Sequence, residues 1–385
     1  MKPGRDAPLR GGNPWIFSGA IASFEPASTE PGSFVEVRDA DGTSLGCGYC
    51  NPATTIAVRM LWWGGTPSLD EIIARRIASA IQFRSRVIDP DTNCYRLING
   101  DGDGFSGVVV DRYADVFVAQ FLTAGAERMR DAIVARLESE LHPRAIFERS
   151  QGAVRRQEGL EDRVGAIMGA LPDELIATEN GIKIVVDPEI GQKTGYFLDQ
   201  RENRVRLLAM AAGARVLDAY SYAGGFALAA LAGGATEVVA VETSARAIEW
   251  AKRNLALNHP QDGAIEFVRD EAANYMAGVA RKFDIVILDP PPLARSRKDV
   301  ARATHLYVDL NAHAISCLAP GGRLMTFSCS AHLRGEDFFR AVAMGAAKAR
   351  RNLRMVEKLG PGPDHPVLLG HAEGEYLTGA LLADL

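Results

Sequence analysis

The chain is short of the features that would settle a function at once. No apolar stretch in its 385 residues reaches the roughly 18–20 residues of a membrane span. The opening "MKPGRDAPLRGGNPW" has no apolar core of the signal-peptide kind, so a cytoplasmic protein is expected. Five cysteines (Cys47, Cys50, Cys94, Cys317, Cys329) in a long chain expected to be cytosolic argue for free thiols rather than a disulfide framework. The histidines show no ligand spacing, and nothing completes the "CGYC" at 47–50 into a metal site, so no metal is expected. A thioredoxin-like pair would open a helix, whereas this one sits among strand-forming residues. Internal repeats and low-complexity segments are also missing.

Positive charge is scarce as well. The net charge is −5, which does not advertise a nucleic-acid binder. Phosphate binding depends on local positive charge, so an acidic protein with a basic cleft still qualifies. What is present is ordinary for a globular protein: 47% hydrophobic and 24% charged residues, in a chain long enough for two or three domains.

Residues 1–66 read as β-rich, with β-branched runs broken by "DADG" and "NP" turns. A helix is expected from near residue 68, where apolar residues at helical spacing follow Pro-Ser-Leu-Asp. Strands in "GVVVDRYADVFVAQFL" and an amphipathic helix in "AGAERMRDAIVARLESEL" follow, then a hairpin turning on the Asn-Gly of "TENGIKIVV". From about residue 213 strands and helices alternate, ending with a long helix to Ala319 and the strand "GRLMTFSC". That alternation predicts a parallel, doubly wound sheet with its ligand at the C-terminal ends of the strands.

The first turn of that sheet, "VLDAYSYAGGF", lacks the G-x-G-x-x-G of a dinucleotide cradle. Tyr220 and Tyr222 stand where a pyrophosphate would need glycine, which disfavours a nicotinamide dehydrogenase. An acid (Asp218) followed by a loop tightening on Gly224 and Gly225 suits a ligand with an ammonium and a ribose, such as S-adenosylmethionine. Glu242 and Asp270 end the next two strands, placed for ribose hydroxyls and an adenine amine. Glu242 alone does not discriminate, and strand-end acids also serve as helix caps. The fourth strand ends in Asp289-Pro290-Pro291, whose prolines stiffen the backbone around the carboxylate. Enzymes that act on a flipped-out base use such a segment to grip it. Those that methylate exocyclic amines follow the prolines with an aromatic residue; Pro292 and Leu293 stand here instead.

With these residues assembled, the sequence resembles the bacterial 23S rRNA cytosine-C5 methyltransferases with an N-terminal PUA domain, over nearly the whole chain. The resemblance runs through "NPWIFSGAI", "YRLINGDGDGFSGVVVDRY", "IFERS", "GQKTGYFLDQREN", "YSYAGGFALAAL", "LDPP", "TFSCS" and "DHPV…EGEYLTG", of which "GQKTGYFLDQR" and "TFSCS" are the most specific. It implies a PUA-like RNA-binding domain over 1–66, a central α/β domain over 67–187 and a Rossmann-like methyltransferase domain over 188–385. It implies S-adenosylmethionine bound by Lys193, Phe197, Gln200, Arg201, Asp218, Tyr220, Ser221, Gly224, Gly225, Glu242 and Asp270. Asp289 would face the base and Cys329 would be the nucleophile. Pro290 and Pro291 would contact RNA, the partner being 23S rRNA or a large-subunit assembly intermediate. Just downstream, Arg295, Arg297, Lys298 and Arg302 are opposed only by Asp299, a local positive stretch that reads either as a phosphate contact or as a solvated helix start. The family often has lysine where Pro292 stands.

The chemistry explains why a cysteine belongs there. Carbon 5 of cytosine is too poor a nucleophile to take a methyl group until a thiolate adds to carbon 6 and makes the ring an enamine. Uracil-C5 or purine-amine methylation of RNA, and a silent cofactor- and RNA-binding module, are the alternatives. Residues 1–70 carry five basic against seven acidic side chains, so RNA binding by that domain needs a localised basic face, and a structural or homodimer-forming role stands beside it. Trp15, Trp62 and Trp63 are candidates either for base stacking or for the core.

Overall fold

The computed structural model describes residues 1–258, 264–294, 296–330 and 332–384. The chain divides into two compact units. Met1–Thr178, Val186–Leu198 and Pro363–Gly374 form the first; Glu179–Val185, Asp199–Gly362 and Glu375–Leu385 form the second. Among the described residues no helix is long and apolar enough to cross a membrane.

The first unit holds a four-stranded antiparallel sheet in the order Trp15–Phe17, Ile56–Trp63, Ser44–Cys50, Phe34–Arg38. It also holds a five-stranded sheet running from Cys94–Asn99 to Arg163–Met168 in sequence order. The helix Leu69–Val87 begins at a capping box, Ser68 accepting from the Glu71 amide while Glu71 accepts from the Ser68 amide. One hydrophobic core runs under both sheets, joining Cys47, Tyr49 and Leu61 to Ile72, Ile77, Phe117 and Ile133. Tyr49 Oη reaches across it to donate to the Ser106 carbonyl at 2.7 Å. Gly125 makes that reach possible, since a Cβ there would overlap the Tyr49 ring.

The three tryptophans are engaged within this unit. Trp15 Nε1 donates to Asp101 at 3.2 Å, Trp63 Nε1 donates to the Leu9 carbonyl at 3.2 Å, and Trp62 lies beneath the guanidinium of Arg75. Cys47 and Cys50 are fully buried in different apolar clusters, so the "CGYC" thiols are packing residues.

The second unit is a seven-stranded sheet, numbered here within itself: β1 Arg215–Ala219, β2 Glu237–Val241, β3 Ala264–Val268, β4 Phe283–Leu288, β5 Leu318–Ser328, β6 Leu353–Leu359 and β7 Thr378–Asp384. Their order is β3-β2-β1-β4-β5-β7-β6. The first five are parallel and β7 runs antiparallel to both neighbours. Runs such as "VVAV" and "FDIVIL" suit strands covered on both faces, and separate apolar clusters do cover them. The doubly wound sheet is as the alternation predicts, with two differences. The helix Val300–Ser316 stops short of Ala319 and β5 begins at Leu318. Pro320 bars the preceding residue from the helical region, which brings Ala319 into the strand. The antiparallel pair β6 and β7 was not visible in the alternation, because no helix separates them as a crossover would.

Candidate functional site

Register places the site. Ala219 pairs with Val241 and Leu288, Val241 with Val268, and Leu288 with Thr326, so the strands end nearly level. Asp218 lies one residue inside that edge, while Glu242 and Asp289 leave it one residue beyond β2 and β4. Asp270 follows two residues after β3 and Cys329 one after β5.

The turn after β1 is held in sparsely populated backbone. Tyr220 has φ +73°, Tyr222 +48° and Gly224 +78°. Two bulky residues in the left-handed region cost energy that surrounding contacts must offset. The amides of Tyr220 and Ser221 both donate to the Val241 carbonyl, at 3.1 and 2.9 Å, and Asn254 donates to the Ala223 carbonyl at 2.9 Å. Glu242 Oε2 accepts from the Tyr222 amide at 3.0 Å and Oε1 from the Ser244 amide at 2.8 Å. Its carboxylate is thus oriented by the backbone, with lone pairs remaining for a ligand.

Asp218 is fully buried. Its Oδ2 accepts from the Ala227 amide at 3.0 Å in the helix Gly225–Ala232, while Oδ1 has no partner among the described residues. Burial is the main reason its carboxyl is pushed up to about 7, with Asp289 and Glu242 adding to it and the Ala227 amide opposing. Ser221 Oγ, also buried, is likewise without a partner there. A buried acid and a buried hydroxyl left unsatisfied at a strand end fit a ligand that brings donors of its own. Asp270 is half-buried and accepts from the Glu271 amide at 2.7 Å.

On the other side of β1 the geometry turns to Asp289 and Cys329. Gln200 Nε2 donates to Asp289 Oδ2 at 2.9 Å, and Gln200 Oε1 accepts from Asn203 at 2.6 Å. The Cys329 thiol is half-buried, with Sγ 3.7 Å from the Pro290 carbonyl. It therefore meets the segment that carries the carboxylate. The two serines flanking it are fully buried clamps. Ser330 Oγ accepts from the amides of Leu293 and Ala294 at 3.0 and 3.2 Å and lies 3.3 Å from Tyr307 Oη. Ser328 Oγ donates to the Leu333 carbonyl at 2.9 Å. Cys317 is 1% exposed, and burial raises its thiol to about 11, as suits a core residue.

Six expected residues therefore come together on one edge of this unit: Gln200, Asp218, Ser221, Glu242, Asp289 and Cys329. The resemblance puts Gln200 on the cofactor, but its amide nitrogen lies on Asp289. Arg201 is buried, with Nε 3.3 Å from Glu202. Lys193 and Phe197 belong to the first unit, where the ammonium sits 4.7 Å from the ring centroid. Pro290 is buried and Pro291 exposed. Arg295 lies outside the described residues; Arg297 and Lys298 fall in the turn Arg297–Asp299, with Lys298 and Arg302 exposed. Asn203, Asn254 and Tyr307 went unremarked in the sequence, and the serines on either side of Cys329 were given no role. Gln200 and Asn203, three apart at a helix start, were the one readable hint.

Comparison with known proteins matches residues 161–376 to the S-adenosylmethionine-dependent methyltransferase family and residues 1–63 to a PUA-like domain. The ribosomal RNA large subunit methyltransferase I of Erwinia tasmaniensis is 38% identical, over 98% of this chain and 97% of that protein. Its namesake from Escherichia coli is 37% identical, over 98% and 97%. Among solved structures, a SAM-dependent methyltransferase from Streptococcus mutans superposes with a TM-score of 0.83 at 21% identity, over 100% of both chains. A methyltransferase complexed with SAH gives 0.84 at 22% identity, over 99% and 98%.

Proposed function

From the premise that this chain belongs to the S-adenosylmethionine-dependent methyltransferases, in the family of the large-subunit ribosomal RNA methyltransferases I, we propose that it methylates carbon 5 of a cytosine in 23S rRNA through a covalent Cys329 adduct. The observation that carries the reading is the Cys329 thiol 3.7 Å from the Pro290 carbonyl, next in the chain to Asp289. A nucleophile and an acid at one sheet edge are what a C5 mechanism requires.

Asp218, Ser221, Glu242 and Asp270 would hold the cofactor in the second unit, the two unsatisfied buried groups favouring a polar ligand there. When bound, S-adenosylmethionine supplies an electrophilic methyl group. The chain supplies the rest. The Cys329 thiolate forms a bond to carbon 6 of the flipped base, and the pair from the C5=C6 π bond moves into the ring. Asp289 meets the ring edge near N3, where that charge gathers, donating its proton there and taking it back when the ring is restored. After methylation a base takes the carbon-5 proton, the C–S pair returns to the thiolate and the C5=C6 bond re-forms. Exposed Lys298 and Arg302 offer phosphate contacts, which position the strand without reading its sequence.

The test is methyl transfer from labelled S-adenosylmethionine to unmodified 23S rRNA or immature large subunits, with mass spectrometry of the nucleosides. Label in 5-methylcytidine supports the reading; label in a methylated amine overturns the nucleophile. Ser330→Ala gives a graded check. Freeing the Leu293 and Ala294 amides is expected to lower the saturating rate about tenfold, the cost of one lost buried hydrogen-bond partner, with cofactor affinity unchanged. An unaltered rate would deny Ser330 a part in holding the two loops together.

A further inference from the structure

A chain of hydrogen bonds behind Asp289 has only one allowed polarity. The Gly360 carbonyl can only accept, so Asn203, 3.0 Å away, must present its amide nitrogen there. The same nitrogen lies 2.6 Å from Gln200, which must then turn its carbonyl toward Asn203. That leaves the Gln200 amide nitrogen to donate to Asp289 Oδ2 at 2.9 Å. Gln200 and Asn203 are 2% and 1% exposed, so water does not compete for these bonds. A backbone carbonyl therefore dictates, through two side-chain amides, that Oδ2 accepts and that any proton on Asp289 sits on Oδ1.

We propose that Gln200, oriented by Asn203, is a positioning residue for the base-facing carboxylate, fixing which oxygen of Asp289 addresses the target ring. The inference rests on the reading that Asp289 faces the base. It differs from what the sequence resemblance implies for Gln200, which is contact with the cofactor. The two roles leave different kinetic marks. A cofactor ligand changes S-adenosylmethionine affinity, whereas a residue that aims Asp289 changes the rate at saturation.

The experiment measures equilibrium binding of S-adenosylmethionine and single-turnover methyl transfer at saturating cofactor and RNA, for the full chain and its variants. Gln200→Glu keeps the length and the oxygen facing Asn203 but replaces the amide donor with a second carboxyl, which meets Asp289 either as a like charge or by sharing its proton. Gln200→Met removes the donor without adding charge, and guards against a folding failure in either one. Both are expected to slow the single-turnover rate about 10–100-fold, the worth of a hydrogen bond to a charged group. Cofactor affinity should stay within about threefold. In an Asp289→Asn background the Gln200→Met effect should shrink to about twofold or less, since the carboxylate it aims is gone. Weakened cofactor binding with an unchanged saturating rate would overturn the proposal, as would full additivity with Asp289→Asn. The rates are scored on whichever methylated nucleoside the unaltered chain produces. A product other than 5-methylcytidine would therefore count against the base assignment without touching the Gln200–Asp289 coupling.

Discussion

Cys329→Ala is expected to abolish methyl transfer, by roughly 10⁴-fold or more, while leaving S-adenosylmethionine binding within about twofold. Losses of that size follow removal of a nucleophile that forms a covalent intermediate, because the remaining groups cannot supply the bond. Cofactor affinity should survive, because the groups left unsatisfied for a ligand belong to Asp218, in β1, and Ser221, in the turn after it, and not to the cysteine loop. The fold should survive too, since Cys329 is half-buried and alanine leaves Ser328 and Ser330 in their bonds. A second readout isolates the covalent step. RNA carrying 5-fluorocytidine cannot release its carbon-5 substituent as a cation, so the unaltered chain should accumulate a denaturant-stable protein–RNA adduct. Cys329→Ala should form none. An adduct that persists in the variant, or a rate reduced only tenfold, would assign the chemistry to another group.

Asp218→Asn should have the opposite character, stabilising the cofactor-free protein at pH 8 while weakening S-adenosylmethionine binding at least about tenfold. The argument is one of proton linkage. Burial raises the Asp218 carboxyl from an ordinary 3.8 to about 7. Below pH 3.8 the acid is protonated in both folded and unfolded chains, and its charge costs nothing. Between 3.8 and about 7 the unfolded chain releases the proton and the folded chain keeps it, so stability falls as pH rises. Above about 7 the whole penalty is present, on the order of 4 kcal/mol at most. Asparagine cannot ionise, so the difference between variant and parent should be small near pH 4 and grow in the variant's favour toward pH 8. Urea unfolding at several pH values reads this directly. A variant destabilised equally at every pH would mean that Asp218 is a structural hydrogen-bond acceptor rather than a charge held ready for a ligand.

How much of this was legible before the structure differed by element. The parallel strands were plain, because a strand covered on both faces must be apolar throughout, as "VVAV" and "FDIVIL" are. The strand-end acids followed once the strands were placed. What could not be read was the wiring between distant positions. Nothing in "FSCS" says that Ser330 reaches back to the amides of Leu293 and Ala294. Nothing in "DQREN" says that its glutamine meets Asp289, 89 residues away. Local pattern reports which face of an element is buried; it carries no information on which polar atom will be opposite. β6 and β7 escaped for a related reason, since an antiparallel edge pair has no crossover helix to announce it.

The common core of the first unit bears on how such a protein can be inherited and exchanged. Tyr49 from the four-stranded sheet is roofed by Gly125 of a helix some 75 residues later, and its hydroxyl is within 2.7 Å of Thr123 at that helix's start. Recombination that traded the first sixty residues for those of a distant relative would leave the incoming residue 49 facing a pocket cut for a tyrosine, and Ile72 and Ile77 without their cover. The unit of exchange is therefore the sheet together with the helices beneath it.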